Sequence, residues 1–270
     1  MKIGVSGPFT GKRSAYGDLI KSNTFQVAKE MKLEDTVEFL FVDDKAHVPD
    51  ALIAAETFIN SNVNAVIGHF NSQCAQKAAE KYHEQQLLFV APASTAVEIP
   101  YENQGFIYRT CPTNKDQIQL IKEYVIANNI SSIGIFKDDT GYSNELAEIT
   151  LQEFAKSNIH VEILALGDAI ENIETFWLLG THFFCMEVAD VLLKTKQEAN
   201  FFFCDDCYID EFIDHVTAIQ HTNQVFVVGL SHEDGYSHCY KNALRALVTH
   251  LLNDQKFMVE KENWKLYKIA

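Results

Sequence analysis

Apolar residues in this chain fall into two alternating patterns: short, wholly apolar runs, and longer stretches with apolar positions three and four residues apart. The first pattern reads as strands buried on both faces, the second as amphipathic helices. The spacing predicts a strand at 3–6, a helix over 15–31, a strand at 37–42 and a helix over 49–60 that carries Pro49 in its first turn. A strand at 65–68, a helix over 72–86 and a short strand at 87–90 follow. The rhythm restarts after an extended 106–109 and the turn-forming Pro112-Thr113-Asn114. It continues with a helix over 116–127, a strand at 132–136, a helix over 143–155 and an extended 160–164. Strands are then predicted at 181–185, 200–203 and 224–228, separated by helices near 188–196 and 209–219. A long helix over 237–252 precedes a final strand in WKLYKIA. Strand alternating with helix defines an α/β chain with parallel sheets, and the restart near residue 112 divides it into two lobes.

Charge narrows the partners. The 270 residues hold 22 Lys and Arg against 37 Asp and Glu, a net charge of −15. A phosphate backbone or an anionic membrane face is repelled by that balance, so no nucleic-acid or membrane partner is expected. No apolar run approaches the roughly 20 residues of a membrane helix, and mean hydropathy is −0.09. Met1-Lys2 leads directly into the first strand, so no signal peptide is read; the expectation is either a cytoplasmic protein or a mature periplasmic form. The six cysteines lack the spacing of a disulfide framework.

In open parallel sheets ligands bind beyond the carboxyl ends of strands. The loops there carry small and hydroxylic residues, with Tyr16, Ser72, Ser94, Thr95 and Tyr142 prominent. This composition suits hydrogen bonding to a small polar ligand better than catalysis, and no enzyme activity is expected. Gly7-Pro8-Phe9-Thr10-Gly11-Lys12 is not a phosphate loop: three residues separate the glycines where four are needed, and Arg13 stands where Ser or Thr would hold magnesium. Ser72 opens a helix after a strand. It reads either as a plain N-cap or as a hydroxyl that, with the helix amides, receives a carboxylate. The loop Ala91-Pro92-Ala93-Ser94-Thr95 is either a turn or a grip on a ligand's ammonium and carboxylate. Asp43-Asp44 reads as a turn cap rather than a magnesium site. Cys204-Asp205-Asp206-Cys207 suggests a redox dithiol, but the reduced, partly buried state is favoured; a zinc site with His182 and Cys185 lacks motif spacing, so neither metal nor cofactor is assigned. Asp206 separately suits an ammonium ion.

Taken together, these loops resemble the leucine/isoleucine/valine-binding family of type I periplasmic binding proteins. The longest stretch is VIGHFNSQCAQKAAEKYHEQQLLFVAPASTAVEI (66–99), flanked by GPFTGKRSAYGD (7–18), FVDDKAHVPDALIAAETFI (41–59), YRTCPTNKDQ (108–117) and IGIFKDDTGYSNELA (133–147). Order and spacing agree through roughly the first 155 residues. The resemblance implies two Rossmann-like lobes, 1–112 with 234–254 and 113–233 with 255–270, holding a ligand between them by hinge closure. It implies that Ser72 receives an amino acid's carboxylate and that Ala93, Ser94 and Thr95 bind its backbone. Tyr16, Phe70 and Tyr142 would line the pocket and Asp206 would receive the ammonium. An ABC-transporter permease is the implied partner, for a monomer or weak dimer. An intracellular ligand-sensing regulator is the alternative, and a dithiol oxidoreductase a remote one. The chain is shorter than is usual in the family, and the shortage falls after about residue 165.

Overall fold

The computed structural model describes residues 1–270 apart from 171, 197, 233, 254–256 and 259–260. The chain forms two compact units, one from Met1–Thr113 and His232–Glu262, the other from Asn114–Ser231 and Asn263–Ala270. Of the lobe boundaries read from the sequence at 233/234 and 254/255, residues 233, 254 and 255 lie outside the described residues.

In the first unit, strands β1 (Lys2–Gly7), β2 (Glu38–Asp43), β3 (Ala65–Gly68), β4 (Leu88–Ala91) and β5 (Ile107–Arg109) make one sheet in the order β2-β1-β3-β4-β5. Every pairing in it is parallel. The helices are α1 (Ser14–Glu30), α2 (Val48–Asn60) and α3 (Ser72–Glu84), with α8 (Tyr236–Asn253) returning late in the chain. Side chains alternate across a strand, so each strand feeds two cores. Ile3, Val5, Ala65, Ile67 and Val90 pack with Ile20 and Val27 of α1 and Leu244 and Leu247 of α8. Val66, Phe89 and Ala91 face the opposite way, onto Ala54, Ala55 and Phe58 of α2 and Ala75, Ala78 and Tyr82 of α3. Gly4 makes that second face possible, since a Cβ there would lie 2.7 Å from the Phe58 ring.

The second unit has a six-stranded sheet in the order β11-β10-β9-β8-β6-β7. Its strands are β6 (Ser132–Lys137), β7 (His160–Ile163), β8 (Thr175–Leu179), β9 (Asn200–Phe203), β10 (Gln224–Leu230) and β11 (Trp264–Lys268). Only β11 runs antiparallel to its neighbour. Helices α4 (Asn114–Ala127), α5 (Gly141–Phe154), α6 (His182–Thr195) and α7 (Asp210–Ala218) accompany them. Aromatic rings fill this core: Phe176 stacks on Phe201 at 5.2 Å, and Phe202 on Phe226 at 5.1 Å.

One predicted element is corrected. Residues 181–185 are not a strand; Thr181 caps α6, its hydroxyl accepting from the Phe184 N–H. The strand lies just before, at Thr175–Leu179, where all five residues are buried. The run HFFC is apolar and aromatic enough to mimic a strand, but Thr181 is an N-cap residue at the head of a helix whose buried positions run on at helical spacing through Cys185, Val188, Ala189 and Leu192.

Candidate functional site

Both sheets reverse strand order beside the first strand of their unit, between β1 and β3 in one and between β6 and β8 in the other. In doubly wound sheets such reversals open a crevice at the carboxyl ends of the strands. The residues singled out from sequence fall into two groups, one in each unit, in the loops after β1, β3 and β4 and after β6 and β9.

In the first unit, β3 ends on Gly68, whose φ is +138° and whose added Cβ would meet the Ser6 carbonyl oxygen at 2.1 Å. Glycine is therefore required where β3 passes β1. The next residue, His69, is fully buried; its Nδ1 lies 3.0 Å from Asp44 and its Nε2 2.9 Å from the Tyr82 hydroxyl. Ser6 donates to the same Asp44 carboxylate at 3.2 Å. This interior network anchors the turn that presents Phe70, Asn71 and Ser72, and sequence reasoning missed it. The aspartate pair itself behaves as read from sequence: Asp43 accepts from the Phe9 and Lys45 N–H groups and Asp44 from the Ala46 N–H.

Ser72 is the first residue of α3, and Asn71 rather than Ser72 occupies the N-cap position. The plain-cap reading of Ser72 therefore fails. Its hydroxyl accepts from the Ala96 N–H at 3.2 Å, tying the helix start to the 93–96 loop. The hydroxyl proton remains uncommitted among the described residues. Beside it the first amides of α3 have no intrahelical partner, as at every helix start. Two buried polar atoms here also find no partner among the described residues, Asn71 Oδ1 and Ser94 Oγ. Buried polar atoms are nearly always paired, so two orphans in adjoining loops mark a place prepared for a ligand or ordered water. Ala93 and Thr95 are buried in the same loop. Arg109 fixes it from behind, donating to the Ser94, Ala96 and Val97 carbonyls while pairing with Glu102.

Tyr16 stacks on Phe70 with ring centroids 4.1 Å apart, and Phe70 meets Tyr236 edge-on at 5.4 Å. A small apolar cavity lies against the Phe70 and Tyr236 rings, lined also by Leu19, Ile20, Gly68 and Ala93. Tyr236, at the start of α8, was not singled out from sequence because its ring partner Phe70 is 166 residues distant along the chain.

In the second unit, Asp138 follows β6 and accepts from the Thr181 N–H at 2.8 Å and from the Ser143 and Thr140 hydroxyls. Burial opposes its charge, yet these donors outweigh it and hold the carboxyl below the usual aspartate range. Tyr142 is brought to Asp205, not Asp206: its hydroxyl donates to the Asp205 carboxylate, which also accepts from Gln117 at 2.7 Å. Burial, reinforced by that carboxylate, pushes the Tyr142 hydroxyl well above its ordinary pKa. Asp206 instead accepts from the His182 N–H at 3.0 Å and faces His182 Nδ1 at 3.2 Å, at the head of α6. Asp205 and Gln117 were missed. Two adjacent aspartates after a strand do not announce which one turns inward.

Cys204 and Cys207 are fully buried rather than partly so, together with Cys185. Their three sulfurs lie within 4.8 Å of one another. Burial pushes the Cys185 and Cys207 thiols up. It works against Cys204 too, but hydrogen bonds from both neighbours and from the Gly180 N–H bring that thiol well below the ordinary range. Complete burial denies a disulfide substrate access to this group.

Two mostly parallel sheets of matching winding, with hydroxyl-bearing loops beyond the carboxyl ends of their strands, define a type I periplasmic-binding-protein fold. The chain belongs to the periplasmic binding protein family, whose model matches residues 1–166. It is 27% identical over 154 residues to the Leu/Ile/Val-binding protein homolog 2 of Brucella abortus, a match covering 55% of this chain and 42% of that protein. It is 25% identical over 167 residues to the Leu/Ile/Val-binding protein of Escherichia coli K12, covering 60% and 46%. The matched region thus spans less than half the length of these relatives. Among solved structures, the leucine-binding protein of Thermotoga maritima superimposes with a TM-score of 0.74 at 19% identity, covering 95% of this chain and 77% of the other. An ABC-transporter substrate-binding protein of Desulfitobacterium hafniense in complex with Leu gives 0.75 at 18%, covering 93% and 83%. At these identities the structures establish the fold.

Proposed function

We propose that this chain is the substrate-binding protein of an ABC transporter and binds a small amino acid of the branched-chain type. The observation that carries the proposal is the joined pair of loops in the first unit, where Ser72 and the free amides of α3 adjoin the buried 93–95 segment with its unpartnered Ser94 hydroxyl. A helix start with free amides and a hydroxyl receives a carboxylate well. Ala93 carbonyl and Thr95 complete the recognition of the amino-acid backbone. The stacked Tyr16 and Phe70 rings offer an apolar face that suits an aliphatic side chain better than a charged one. From the second unit, Tyr142 and Asp206 are the proposed contributors, with Asp206 for the ammonium and Asp205 holding Tyr142 in place. A transporter permease is the proposed partner and the periplasm the proposed location, in keeping with the family.

The test is calorimetric titration of the purified chain with leucine, isoleucine and valine, repeated for Ser72→Ala and Thr95→Ala. One hydrogen bond to a charged group contributes about 1.5–3 kcal/mol, so each variant should bind roughly ten- to a hundredfold more weakly with an unchanged circular-dichroism spectrum. Affinities equal to wild type in both variants would overturn the site assignment.

A further inference from the structure

The Cys185–Cys204–Cys207 cluster plays no part in the proposed amino-acid site, and its geometry has a chemistry of its own. Cys185 closes the first turn of α6, Cys204 directly follows β9, and Cys207 closes a 3-10 turn over 205–207. Three separate backbone elements therefore aim sulfur at one point. We propose that these three cysteines bind a single thiophilic metal ion, monovalent copper being the ion their chemistry fits best.

Distances support a shared ion over a disulfide. With a metal–thiolate bond of about 2.3 Å, three sulfurs around one ion sit about 4 Å apart. The observed separations are within 4.8 Å, so closing onto an ion needs only a small inward shift of each side chain. A disulfide needs two sulfurs at about 2.05 Å and leaves the third idle. Ligand type points the same way, because an all-sulfur set selects soft ions such as copper(I) over magnesium, calcium or manganese. Zinc prefers four ligands. His182, three residues before Cys185 on α6, already faces Asp206 through Nδ1 and Glu211 through Nε2, and among the described residues no fourth His, Cys, Asp or Glu joins the three sulfurs. The Gly180 N–H lies 3.5 Å from Cys204 Sγ and offsets negative charge gathered on sulfur. On binding, each coordinating thiol releases its proton to solvent and forms a copper–sulfur bond. No electron is transferred, and copper enters and stays as the monovalent ion. Because all three sulfurs are buried, entry requires local opening of the 205–207 turn, and loading should be slow.

The test loads the reduced full chain with copper(I) under anaerobic conditions against a chromophoric copper(I) chelator, then counts ligands by X-ray absorption at the copper edge. The expected result is one ion per chain with three sulfur neighbours, lost in Cys204→Ser and in Cys207→Ala and retained in Cys74→Ala. Circular dichroism checks that each variant is folded, and the sulfur count on the wild-type chain stands whether or not they are. Binding that survives Cys204→Ser, an ion with two sulfurs or with nitrogen and oxygen neighbours, or no copper retained against the chelator would each overturn the proposal.

Discussion

Asp43, Asp44 and Asp138 each end or follow a strand and gather several donors, which shows how much local order one carboxylate can impose. Asp138 is the clearest case, taking the Thr181 N–H and two hydroxyls within one unit. Its pKa is depressed on folding, so it adds stability above the unfolded-state value of about 3.9. That stability is lost as pH falls through the lower folded value. Asp138→Asn should therefore lower urea resistance at neutral pH and flatten the loss of stability between about pH 5 and pH 2. Equal pH slopes for variant and wild type would remove Asp138 from the account. At this scale the sequence was readable by residue type but not by partner. The Asp43-Asp44 pair was recognisable as a turn cap, whereas its link through His69 to Tyr82 joins residues 25 and 13 apart whose meeting depends on tertiary packing. Asp205 and Asp206 show the same limit: adjacent, chemically identical, and directed to Tyr142 and His182 respectively.

Most elements were legible because short apolar runs and three- to four-residue spacings leave little ambiguity in a parallel α/β chain. The segment around 181–185 was the exception. Phe183 and Phe184 favour a strand by intrinsic preference, but the fully buried TFWLL of β8 competes for the same place in the sheet and wins it by burial. The segment that loses becomes the first turn of α6, and Thr181 supplies its cap. Thr181→Ala should cost about 1 kcal/mol of stability, read as a lower urea midpoint with an unchanged slope. No change in midpoint would mean that the Thr181 hydroxyl contributes nothing to holding α6. The correction also bears on the cysteines. With 181–185 as a strand, Cys185 would lie at a strand end facing the loops; as part of α6 it turns inward to meet Cys204 and Cys207. Spacing along the chain gave no sign of that meeting beyond the Cys-x-x-Cys pair itself.

At the scale of the whole molecule, two units with the same winding each place hydroxyls and aromatic rings at their strand-order reversal. The first unit follows the family closely enough for its loops to be recognised from sequence, and the family model ends at residue 166. Beyond that point only the fold-level comparison continues, across 93–95% of the chain. This is where the misread strand, the inward aspartate and the cysteine cluster all lie. The site residues proposed in the first unit lie in contiguous motifs that can be compared along the chain. Those in the second unit depend on single side chains whose direction a sequence does not record.

The most direct test of amino-acid binding is a thermal-unfolding screen of the purified chain, refolded to strip any retained ligand, against the standard amino acids and several small carboxylates. A ligand at 100 times its Kd adds about 2.7 kcal/mol, which raises Tm by roughly 5–10 °C for a chain of this size. Leucine, isoleucine or valine should give such a rise, cut to about half or less in Ser72→Ala at the same ligand concentration. An unchanged Tm with every amino acid, or a rise that Ser72→Ala leaves intact, would contradict the proposal.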